Sequence, residues 1–140
     1  MMLVTSFYRF RSILAGLLLA GLSLSVFAQE LTPAHYVKMD IAVRQATLEG
    51  VEERLALLGA GVEQDVIQQR DEDTRQTITA LYRQYGTTAS QAVAWATRHR
   101  EAIEDWLAEH PGYQSEYHRL ARSLDAASNK LQAFASSTDR

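Results

Sequence analysis

Cysteine is missing altogether, and beyond residue 28 the chain holds two lysines (Lys38, Lys130), two prolines (Pro33, Pro111) and a single methionine, Met39. Without cysteine there is no disulfide staple, thiol redox centre, cysteine-bound zinc or covalently attached c-type haem. Haem held by methionine and histidine would have to use Met39. The predicted helix order puts that residue at the opposite end from His110 and His118, with His35 on the same helix and His99 near mid-height. Bundles that bind two metal ions use Glu-x-x-His, but the residues three before His35, His99, His110 and His118 are Thr32, Ala96, Leu107 and Ser115. No Gly-rich phosphate loop, H-E-x-x-H pair or G-x-S-x-G elbow is present. The sequence therefore predicts no cofactor and no metal, and it points away from an enzyme.

Long apolar runs are also absent, with one exception. Ile13 to Ala28 carries no charge over 16 residues, and Arg9 and Arg11 precede it. A charged stretch followed by a short apolar one is the form of a secretory signal. Val26-Phe27-Ala28 offers small side chains at the −3 and −1 positions, so cleavage is expected after Ala28. Residues 1–28 are read as the signal and the location as periplasmic or secreted. The run is shorter than a spanning helix usually needs, so membrane contact follows only if the signal stays uncleaved.

Removing 28 of 140 residues leaves 112, and because the signal holds two arginines and no acid the formal charge passes from −3 to −5. A scattered basic population on an acidic chain disfavours a nucleic-acid partner. Of the 46 hydrophobic residues that remain, 17 are alanine, which leaves 29 larger apolar side chains for the core. That is lean for a small domain without disulfides.

The mature sequence is helical in period. Val37, Ile41, Leu48, Val51, Leu55 and Leu58 keep a 4-3 spacing if Arg44 fills the missing place, with Met39, Val43, Ala46 and Gly50 as a second stripe. Thr32-Pro33 starts this helix, and Gly59 or Gly61 ends it. A second helix runs to Tyr85 with Gly86 as its stop, but Gln68 to Gln76 (QQRDEDTRQ) is polar on every face. Asp71 and Arg75, spaced for an i,i+4 ion pair, favour continuity there. Thr88-Ala-Ser-Gln91 has capping-box form and opens a third helix that Pro111-Gly112 breaks. Tyr113, Tyr117, Leu120, Leu124, Ala127, Leu131 and Phe134 form the fourth stripe.

The predicted helices are about 33–58, 62–85, 89–110 and 112–135, each roughly 33 to 39 Å long at 1.5 Å per residue. Residues 29–136 are thus expected to form an all-α, up-down-up-down antiparallel four-helix bundle, with 137–140 as a disordered tail. An alternative breaks the second helix at its polar middle and completes the bundle by dimerisation.

Folding these helices at their turns puts Arg44, Asp73 or Thr77, and His99 at one mid-height layer. Two readings follow. A buried polar layer fixes register and helix pairing at some cost in stability. Alternatively, Arg44 clamps a small anionic metabolite, with Asp73 as its partner and His99 as proton carrier. His110 and His118, with Glu109 and Glu116 close by, read as ordinary helix-end chemistry. Trp95, Trp106, Tyr113 and Tyr117 gather aromatic area, and any exposed share of it is the expected contact for a partner. The arginine-and-lysine pattern with which the secreted helical chorismate mutases grip a dicarboxylate is not present. Neither are the Leu-Thr-x-x-Gln repeats of small periplasmic chaperones, so the sequence supports no family. The expected function is binding another envelope or secreted protein, as an inhibitor, immunity factor, chaperone or assembly adaptor, with a second copy of the chain as a further partner. A bundle binding an anionic metabolite is the alternative.

Overall fold

The computed structural model describes residues 30–138, so the predicted signal, residues 1–28, lies outside the described residues. Five helices follow one another, and no strand occurs among the described residues: α1 (Pro33–Gly59), α2 (Gln64–Gln84), α3 (Ala89–Arg98), α4 (Arg100–Glu109) and α5 (Pro111–Thr138). α5 runs through Thr138, and residues 139 and 140 of the expected tail lie outside the described residues.

Local chemistry explains most boundaries. The Thr32 side chain accepts the His35 N–H at 3.2 Å, and Pro33 takes the first helical position, where a missing N–H costs nothing. Gly61 and Gly86 adopt φ of 66° and 70°, a region that L side chains avoid, and so turn the chain after α1 and after α2. Thr88 caps α3 by accepting the Gln91 N–H at 3.3 Å.

The polar middle of α2 does not interrupt it. The helix runs unbroken from Gln64 to Gln84 because its polar side chains meet polar or minimal groups on α1. Asp71 pairs with Arg54, and Arg70 reaches Glu53 at 3.4 Å. Thr74 lies against Gly50 so closely that a Cβ there would meet the Thr74 methyl at 2.5 Å. The expected Asp71–Arg75 pair does not form, since Asp71 is taken by α1 and Arg75 pairs with Glu72 instead. Met39 and Val43 cluster with Ile78, Leu81, Tyr82 and Tyr85, Gly50 meets Thr74, and Arg54 meets Asp71, so the two helices are antiparallel.

The third predicted helix is two helices. His99, with φ −119° and ψ 25°, leaves the helical region and serves as both the end of α3 and the start of α4. A 10-residue helix spans only about 15 Å, so neither half carries the chain along the length of α1. Both pack at its beginning: Ala92 with Met39 and Val43, Ile103 and Leu107 with Val37. The chain is thereby returned to the end where α1 starts.

The up-down-up-down order is corrected as a result. Lys38 lies over the Tyr113 ring, Arg44 bonds Tyr117, Gln45 meets Arg119, and Leu48 clusters with Leu120. Partner numbers rise together, so α5 runs parallel to α1. α1 is the central helix, with α2 antiparallel on one flank and α5 parallel on the other. The α3–α4 pair covers only its first half. Two buried clusters, around Val37 and Met39, lie in that covered half; a third, of Leu48, Leu120 and Ala127, lies beyond it.

Candidate functional site

Two features stand side by side on the molecule. One is a knot of polar groups between α1, α2 and α5; the other is an open groove between α2 and α3.

The knot is built on α1. Asp40 and Arg44 are one turn apart, and the Arg44 Nε donates to Asp40 Oδ2 at 2.7 Å. From α5, the Tyr117 hydroxyl donates to the same carboxylate oxygen at 2.6 Å and accepts from Arg44 Nη2 at 3.0 Å. The guanidinium carbon also lies 4.3 Å from the centre of the Tyr117 ring, within cation–π range. Burial, and then the Asp40 bond and charge, push the Tyr117 phenol well above its ordinary value. Tyr36 and Tyr82 are raised for the same leading reason, burial, with the Asp40 charge next. Burial acts to lower Arg44, but the bond and charge of Asp40 outweigh it, and the guanidinium is held above its ordinary value. The knot therefore neutralises its own charges and fixes the register of the parallel pair α1 and α5.

The predicted Arg44, Asp73, His99 layer is not brought together. The α1–α2 contacts place Asp73 near the level of Val51, about two turns from Arg44, where it accepts from Gln69 at 3.0 Å and faces Arg70. His99 sits at the α3–α4 corner.

That corner shows a device the sequence reading missed. The His99 Nδ1 lies 2.7 Å from the Trp95 carbonyl oxygen, and its ring stacks on the Trp95 indole with centroids 4.2 Å apart. Eleven residues on, His110 repeats the arrangement: Nδ1 2.7 Å from the Trp106 carbonyl, rings 3.9 Å apart, and α4 ends there. A carbonyl only accepts, so in both cases Nδ1 carries the proton. The signal was available as Trp-x-x-x-His written twice. These tryptophans are half-buried, Trp95 also stacking on Tyr36 at 5.6 Å and Trp106 leaning on Tyr113 at 5.1 Å. Of the four aromatics expected to meet a partner, Tyr113 alone is exposed, and Tyr117 is committed to the knot. Among the described residues no group of three or more His, Asp or Glu is placed to hold a metal ion.

The groove lies against the flank of α2 and the start of α3 and has a volume of about 610 Å³. Ile78 and Tyr82, one turn apart on α2, face Thr88 and Ala89 across it, with Thr74 toward one end. Val93 follows Ala89 by one turn on the same side of α3 and is 63% exposed, the most exposed of the large hydrophobic side chains described. Tyr82 joins the two features, since it lines the groove and feels the charges of Asp40 and Arg44.

No protein-family model, curated protein or solved structure matches the chain. The fold and the groove must therefore carry the functional reading by themselves.

Proposed function

We propose that the chain is exported, is cleaved after Ala28, and works in the periplasm or outside the cell as a non-enzymatic binding module for another protein. The observation that carries this reading is the groove. Its volume falls in the range of binding clefts, its floor is apolar, and an exposed valine extends its rim. Exposed apolar surface of this kind is costly unless something covers it. The Arg44 knot is closed on itself, which makes the groove, and not an anion clamp at Arg44, the supported docking place. The signal-like residues 1–28 support export, and no helix among the described residues is long and apolar enough to cross a membrane.

The test is made on the full chain with a C-terminal tag, expressed in an exporting bacterium. Mass spectrometry of the purified protein is expected to find Gln29 at its N-terminus. A photo-crosslinking residue is then placed at Val93, or at Glu52 on a different surface of the molecule as a control. A discrete protein adduct at position 93 and none at 52 is the expected result. Equal labelling from both positions, or none from 93, would sink the binding role of this groove.

A further inference from the structure

Resting on that reading, we infer that the groove takes an acidic, amphipathic helical segment of its partner. Three charged residues line it: Asp71, Arg75 and Arg83. Asp71 is already neutralised by Arg54, and Arg75 is paired with Glu72 but remains 74% exposed. Arg83 makes no ion pair among the described residues. With those two pairs cancelled, Arg83 leaves the groove one net positive charge beside its apolar floor, on a chain of formal charge −3. Charge of this kind selects and orients an oppositely charged partner more than it adds raw affinity.

The spacing of the apolar groups defines the shape of the occupant. Ile78 and Tyr82 form one row along α2; on α3, Ala89 lines the groove, and the exposed Val93, one turn further along the same side of the helix, continues that row beyond the lining. Two such rows accept side chains from a helix at positions three and four apart, the form of a helix laid in a groove. From Asp71 to Arg83 the wall is about 18 Å long, which matches a partner helix of about 12 residues. Leucine-type anchors would sit between the rows, and a glutamate on the flank of the partner helix would face Arg83. Hydroxyls of Thr74, Thr79 and Ser90 on the walls can accept or donate without selecting a charge.

The probe is a synthetic helix of about 12 residues with a leucine stripe flanked by glutamates, titrated by fluorescence anisotropy into the full chain. A counterpart carrying lysine for glutamate is the control. The glutamate probe is expected to bind at least about tenfold more tightly than the lysine one. Arg83→Glu should weaken the glutamate probe about fivefold and strengthen the lysine probe, the size expected of an exposed charge contact. Val93→Asp should weaken both. If the two probes bind alike and Arg83→Glu moves neither, the acidic occupant is wrong, while a Val93→Asp effect would leave the groove reading standing. If Val93→Asp has no effect either, both fall. Anionic phosphatidylglycerol vesicles that compete with the probe in a Val93-dependent way would overturn the choice of a protein segment.

Discussion

At the scale of the residue, Tyr117 concentrates the physical chemistry of the fold. Its hydroxyl is bonded on both sides, donating to Asp40 and accepting from Arg44, and its ring carries the guanidinium. Tyr117→Phe keeps the ring but leaves Asp40 short of a donor in a half-buried place. The expected loss is about 1 to 2 kcal/mol in denaturant unfolding. The pH dependence has a definite sign. The folded phenol is raised above its unfolded value of about 10, so the stabilisation it provides is complete below that pH. Above it the unfolded chain ionises while the folded one holds its proton, and stability falls as pH rises toward the folded pKa. Unfolding measured from neutral to strongly alkaline pH should show this decline, and Tyr117→Phe should make it shallower. Tyr36 and Tyr82, raised in the same direction, keep it from vanishing; an unchanged slope in the variant would refute the assignment. Half of this knot was legible in the sequence, since Asp40 and Arg44 have ion-pair spacing. Tyr117 was not, because its partnership depends on which way α5 runs.

At the scale of the element, the crossing of α1 and α2 is set by Gly50 and Thr74. Alanine at position 50 would gain roughly 1 kcal/mol of helix propensity over glycine. Its methyl would, however, stand 2.5 Å from the Thr74 Cγ2 and 2.8 Å from Oγ1. A β-branched side chain has few other rotamers to adopt, so the helices must separate. Gly50→Ala is therefore expected to destabilise by about 1 to 3 kcal/mol despite its propensity gain. Thr74→Ala should recover much of that loss in the Gly50→Ala background while costing stability on its own. Additive effects in the double-mutant cycle would rule the close crossing out. Helix starts and stops at Thr32, Gly61, Gly86 and Thr88 were readable because caps and positive-φ glycines have strong sequence signatures. The break at His99 was not. A tryptophan four residues before a histidine looks like one more turn of helix until the ring folds back onto the indole and onto its carbonyl. The all-polar stretch of α2 raised a sound doubt, resolved by what α1 places opposite it: a glycine, an arginine and a glutamate.

At the scale of the whole molecule, two of the three buried clusters occupy the half of α1 that α3 and α4 cover, and the other half relies on the third cluster, of Leu48, Leu120 and Ala127, together with the buried Ile67 of α2. Local stability follows the density of buried apolar contacts. Native-state hydrogen exchange should therefore find the slowest amides in α1 around Val37 to Val43. Faster exchange is expected in α5 beyond Ala127, where Phe134 is exposed. Uniform protection along α1 and α5 would contradict this gradient. The helical class was legible from periodicity alone, but the direction of α5 was not, because a segment broken at His99 has the same length and period as one unbroken helix. That direction also governs how the chain finds its fold. The antiparallel contacts of α1 with α2 begin with loops as short as the 17 residues between Arg54 and Asp71, so that hairpin can close from its turn outward. Every paired contact of α1 with α5 spans nearly the same distance along the chain, 73, 74 or 77 residues for the hydrogen-bonded ones. The entropy of loop closure is then almost identical for each. No short loop is available from which α5 could zip, and once one contact closes the remainder cost almost no further chain entropy. The last helix joins as a unit, in a single register or not at all.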